Sequence, residues 1–95
     1  MDNGAVLIGK KPMISYVLAV LTHINSGNDS VILKARGSLI SKAVDVSQIV
    51  MRKFSQGLAV TKIDVGTEEL KGEDAKVRKV SFISIEMKRA YDKRQ

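Results

Sequence analysis

The spacing of apolar residues along the chain switches between short runs, a period of three to four, and strict alternation. Each switch marks an element boundary. Ala5-Val6-Leu7-Ile8 reads as a short apolar strand, interrupted by Gly9-Lys10-Lys11-Pro12. Pro12 suits the first position of a helix, where its missing N–H costs nothing. Met13, Val17, Val20, Leu21 and Ile24 then recur at helical spacing and predict a helix to about Asn25, with Tyr16, Leu18 and Ala19 widening its apolar face and Gly27 as its stop. Val31 to Arg36 predicts a second strand ended by Gly37, and the Ser38 hydroxyl is placed to cap the next helix. That helix is expected from about Leu39 to Ser55. Its inner face is Ile40, Ala43, Val44, Ser47, Val50, Met51 and Phe54, with Lys42, Asp45, Gln48, Arg52 and Lys53 on the others.

Beyond Gly57 the period drops to two. Ala59, Thr61, Ile63 and Val65 form one alternating arm, and Ser81, Ile83, Ile85 and Met87 another, predicting a β-hairpin. Glu68 to Lys76 is polar and too long for a tight turn, so a mobile tip is expected. Lys88 to Gln95 reads as a charged, frayed tail. The order is β-α-β-α-β-β. Right-handed crossovers would set both helices on one face of a four-stranded mixed sheet. The expected fold is therefore an α/β (α+β) two-layer sandwich with a protruding C-terminal β-hairpin, a single domain over 1–95 with its ordered core at 5–88.

Composition narrows the chemistry. The chain has 95 residues, 44% of them hydrophobic, which is ample for one small core. It has no cysteine and one histidine, so disulfides and thiolate or histidine metal sites are excluded, and no cofactor is expected. The N-terminus lacks a secretory pattern, and the apolar stretch Val17 to Leu21 is far short of a membrane span. A cytoplasmic protein without a membrane partner is expected. Sixteen Lys and Arg against ten Asp and Glu give a net charge of +6 and a pI near 9.8. Such an excess suits a polyanion, because each neutralised phosphate releases condensed counterions.

Three cationic groups are candidates for that contact. Lys10 and Lys11 sit before a helix N-terminus, where positive charge opposes the helix dipole, a poor choice for stability but a good one for an anion. Arg36 and Lys42 join them if the first two strands pair in parallel, since both strands then end on the same edge, and there is no nearby acid until Asp45. Lys71, Lys76, Arg78 and Lys79 lie near the hairpin tip, interrupted by Glu68, Glu69, Glu73 and Asp74. A basic ribbon of this kind can enter a groove, and an ordinary solvated hairpin explains it equally well.

Catalysis has little support. His23, in the middle of the first helix, has no assignable Ser or Asp partner. Neither catalysis nor a small-molecule substrate is expected. Tyr16, Phe54, Phe82 and Tyr91 are the only aromatics. Single-strand binders stack bases on aromatic platforms, so charge without stacking favours a duplex.

Val6-Leu-Ile-Gly-Lys-Lys-Pro12, Tyr16-Val-Leu-Ala19, Lys34-Ala-Arg-Gly37, Ile40-Ser-Lys-Ala-Val-Asp45 and Ile63-Asp-Val-Gly66 occur in order, and together they resemble the Alba family of archaeal chromatin proteins across residues 5 to 88. The resemblance implies a homodimer, or a heterodimer with a paralogue, that coats and compacts double-stranded DNA on the chromosome. Its hairpins would reach along the minor groove, and RNA is the alternative ligand. It also implies Lys10 and Lys11 as principal contacts, Arg36 and Lys42 on the same surface, Lys10 as an acetylation site, and Phe54 in contacts between dimers. Ser38 stands where many relatives carry another arginine, which thins the basic patch there.

Overall fold

The computed structural model describes residues 4–54 and 57–89. The elements are β1 (Ala5–Leu7), α1 (Met13–Asn25), β2 (Ser30–Arg36), a 3-10 turn (Gly37–Leu39), α2 (Ile40–Ile49), a π-helical turn (Val50–Phe54), β3 (Leu58–Lys71) and β4 (Val77–Arg89). The four strands form one sheet in the order β1-β2-β4-β3. β1 is parallel to β2, and the other two pairings are antiparallel. This is the expected mixed sheet of an α+β sandwich, with the hairpin drawing the molecule out to 56 × 25 × 24 Å.

Alternation within the strands separates two faces. Val31, Leu33 and Ala35 on β2 stand opposite Met87, Ile85 and Ile83 on β4, and all six are buried in the core beneath α1 and α2. The other face carries Lys34, Arg36, Phe82, Ser84 and Asp64 and is left open. Helix α1 contributes Tyr16, Val17, Val20, Leu21 and Ile24 to the core. Full burial of side chains such as Leu33 or Ile85 stabilises the fold by about 1.5–3 kcal/mol each.

Several expectations shift. Pro12 is the residue before the helix, with φ −56° and ψ 149°, rather than its first turn. Ser38 does not cap α2. The chain enters that helix through the 3-10 turn, and the Ile40 N–H is satisfied by the Gly37 carbonyl instead of a side chain. Helix α2 buries Ala43, Val46 and Ser47, while Val44 is exposed, so the inner stripe is rotated from the expected one. The π turn then adds a residue per hydrogen-bonded ring and breaks the phase of the stripe. Phe54, at its end, is 39% exposed rather than a core residue. The rest of the expected helix end, Ser55, lies outside the described residues.

The hairpin is longer than its apolar alternation suggests. Its ladder pairs as far as Lys71 with Val77, leaving Gly72–Lys76 as the connection in place of a nine-residue mobile tip. The Gly72 N–H donates to the Lys76 carbonyl at 2.9 Å, and the Lys76 N–H donates to Asp74 Oδ1 at 3.0 Å. Lys88 and Arg89 belong to β4 rather than to a tail, the Arg89 N–H donating to the Asp29 carbonyl at 2.8 Å. The expected tail from 90 onward lies outside the described residues. His23 sits in the last turn of α1, not its middle. Its Nε2 lies 3.0 Å from the Ser30 carbonyl, joining the helix end to the start of β2.

Candidate nucleic-acid interface

The parallel pairing of β1 and β2 decides where the site forms. Leu7 is level with Lys34, and the pairing continues one residue further, the Ile8 N–H donating to the Lys34 carbonyl at 2.8 Å. Both strands therefore finish at the same end of the sheet, and the Gly9–Pro12 loop emerges there beside Arg36. Lys10 and Lys11 are exposed on this loop, and among the described residues neither amine meets a carboxylate.

The loop is held from below by two side chains. Lys42, in the first turn of α2, donates its Nζ protons to the Gly9 carbonyl at 2.8 Å and to the Lys11 carbonyl. The same nitrogen stands 5.1 Å from the centre of the Tyr16 ring, within cation–π range. The Tyr16 hydroxyl accepts the Lys11 N–H at 3.1 Å. Gly9 makes this approach possible, because a Cβ there would lie 3.0 Å from the phenol oxygen. Lys42 thus joins the cluster as expected, but its amine is engaged by backbone oxygens.

Arg36 also has a partner the sequence did not reveal. Its Nε lies 2.6 Å from Glu68 Oε1, and both side chains remain substantially exposed. The expectation of a patch free of acid fails here, because the acid arrives from β3, across the intervening β4, and not from the neighbouring sequence. Phe82 is level with Arg36 on one side and Gly66 on the other. A Cβ at Gly66 would come within 2.8 Å of the Phe82 ring, so the ring lies directly against the glycine.

The hairpin cations do not form one surface. Lys71 and Lys79 fall on one face of the ribbon and Arg78 on the other, with Lys76 in the connecting turn. Lys79 stands opposite Glu69, which offsets its charge. The strand start at Val77 is five positions beyond Phe82, so the tip projects roughly 17 Å past Arg36 at about 3.4 Å per residue. The structure thus unites Lys10, Lys11, Arg36 and Lys42 and sets Lys71, Lys76, Arg78 and Lys79 well apart from them. Tyr16 and Glu68 are the participants that sequence patterns alone missed. Tyr16 reads as part of an apolar stripe, and the contact of Glu68 depends on strand register. Among the described residues no three His, Asp or Glu side chains gather where they could hold a metal, and no helix is long and apolar enough to cross a membrane.

Residues 4–67 match the profile of the Alba family. The chain is 46% identical over 86 residues to a DNA/RNA-binding protein Alba of Methanococcus maripaludis, covering 90% of this chain and 96% of that protein. It is 45% identical over 85 residues to DNA/RNA-binding protein Alba 1 of Archaeoglobus fulgidus, covering 90% and 94%. The structure of Alba from Thermoplasma volcanium superposes with a TM-score of 0.83 at 44% identity, over 90% of this chain and 99% of that one.

Proposed function

The chain belongs to the Alba family, and from that premise we propose that it binds double-stranded DNA through phosphate contacts, with little sequence preference, and compacts it on the chromosome in the cytoplasm. The observation that carries this reading is the exposed Lys10–Lys11 loop at the shared end of β1 and β2. Two amines there, unopposed by carboxylates and set before a helix N-terminus, suit a phosphate backbone. The scarcity of aromatics supports a duplex over single strands. Tyr16 is buried under the loop, which leaves Phe54 and Phe82 among the described residues. Acetylation of Lys10 would remove one of the two charges and weaken the contact.

The same reading takes the protein as a homodimer, or a heterodimer with a paralogue. On β3, Ile63 and Val65 are level with Ile85 and Ile83 and continue their apolar rows, yet they are 55% and 72% exposed. A second chain packed there would remove that surface from water. Phe54 is sufficiently exposed for a contact between dimers.

Changing Lys10 and Lys11 together to Glu tests the site. Duplex affinity should fall and its salt dependence should flatten, with the thermal transition and molecular mass unchanged. Unaltered affinity would remove the loop from the interface. The alternative ligand is structured RNA, as the names of the relatives include both nucleic acids. Competition between a DNA duplex and a structured RNA of equal length separates the two, and a large preference for RNA would overturn DNA compaction.

A further inference from the structure

We infer that Lys42 is a positioning residue, which together with Tyr16 presets the Lys10–Lys11 loop for a polyanion and does not itself contact phosphate. This rests on the reading of that loop as the contact surface. An ammonium group has three protons to donate. Lys42 directs its donors to the Gly9 and Lys11 carbonyls while its charge lies over the Tyr16 ring. Two of those protons are committed to backbone oxygens, so a phosphate could take at most the third unless the half-buried side chain left both carbonyls.

The lock has a consequence for the outer surface of the loop. A carbonyl oxygen is the negative end of its peptide dipole. With the Gly9 and Lys11 oxygens turned inward onto Lys42, their negative ends are withdrawn from the side that an anion would approach. Tyr16 fixes the following peptide through the Lys11 N–H. The two exposed lysines are therefore carried on a backbone whose conformation is already chosen, so less ordering remains to be done on binding. Gly9 belongs to the same device, since a Cβ there would press on the phenol oxygen at 3.0 Å.

The test compares Lys42→Met, which keeps the length and apolar stem but removes the donors, with Tyr16→Phe, which removes only the phenol oxygen. Both are measured in the native background and with Lys10 and Lys11 changed to Ala. The readouts are affinity for a mixed-sequence DNA duplex across a salt series and amide hydrogen exchange in the loop. Thermal unfolding of each variant identifies any that fail to fold. Lys42→Met should speed exchange at Lys11 and weaken duplex binding roughly three- to tenfold, the coupling expected within one hydrogen-bonded network. In the Lys10/Lys11 double-Ala background it should add less than about twofold, because it acts through those residues. Tyr16→Phe should act in the same direction with a smaller effect, and it carries the test if Lys42→Met does not fold.

A loss that adds fully to that of the double-Ala variant, with a salt slope reduced by about 0.9, would identify Lys42 as a direct phosphate ligand and overturn the inference. Unchanged loop exchange, or faster exchange with unchanged affinity, would overturn it equally. Normal binding by the double-Ala variant has a different signature. It would reject the loop as the interface, and the positioning role would fall with it.

Discussion

Arg36 on β2 and Glu68 on β3 meet across the open face of the sheet, Nε to Oε1 at 2.6 Å, although 32 positions and the whole of β4 separate them. The pair lies at the end of the sheet where the cationic loop emerges, so the carboxylate occupies an arginine that a phosphate could otherwise use. Glu68→Gln removes the competitor and keeps the shape. Duplex affinity should rise by up to about fivefold, corresponding to the roughly 1 kcal/mol ceiling for an exposed pair. The salt slope should steepen by about 0.9 if Arg36 then reaches a phosphate. Binding indistinguishable from the native protein would show that Arg36 stands outside the interface.

Gly66 is constrained by the Phe82 ring, which a Cβ would approach to 2.8 Å. Gly66→Ala should destabilise the protein by about 1–3 kcal/mol, the usual cost of overpacking. Replacing Phe82 by Leu in the same chain should recover part of that loss. Urea unfolding of the two single variants and the double variant provides the comparison, and simple additivity would show that the ring is not the obstacle.

The exposed apolar pair on β3 predicts self-association. Ile63→Glu or Val65→Glu should leave the fold of each chain intact, because both side chains are already largely in water. Either change should shift the sedimentation equilibrium toward monomer. DNA affinity should fall with it, since two linked loops engage one duplex more tightly than a single loop. A mass unchanged from the native protein would exclude this face from the dimer contact.

The element order was legible because apolar spacing reports backbone period directly. Met13, Val17, Val20, Leu21 and Ile24 could only be one helical stripe, and Ile83, Ile85 and Met87 one side of a strand. The hairpin arms beyond Val65 were not legible. Glu68, Glu69 and Lys71 pair through backbone N–H and carbonyl groups, which place no demand for apolar side chains on a ribbon exposed on both faces. Val44 and Val46 are alike as residues, and only the packing of α2 distinguishes the exposed one from the buried one. The cationic end of the sheet was recoverable from the parallel pairing of β1 and β2, which a helical crossover demands. The partners of its charges were not. Lys42 could be placed near the loop, but its bonds to Gly9 and Lys11 depend on backbone carbonyl directions, and the reach of Arg36 to Glu68 depends on register.

The strand order also governs how the chain must assemble. β4, last of the described elements, occupies an interior position between β2 and β3. As the protein is synthesised, β1, β2 and both helices emerge before their sheet can be completed. Until residues 77–89 arrive, Val31, Leu33 and Ala35 lack the Met87, Ile85 and Ile83 neighbours that finish the core. The hairpin turn sets when that happens, by bringing β4 back along β3 and into the gap beside β2. A segment that extends outward in the finished molecule is thus also the connection through which the last described strand reaches its place in the interior of the sheet.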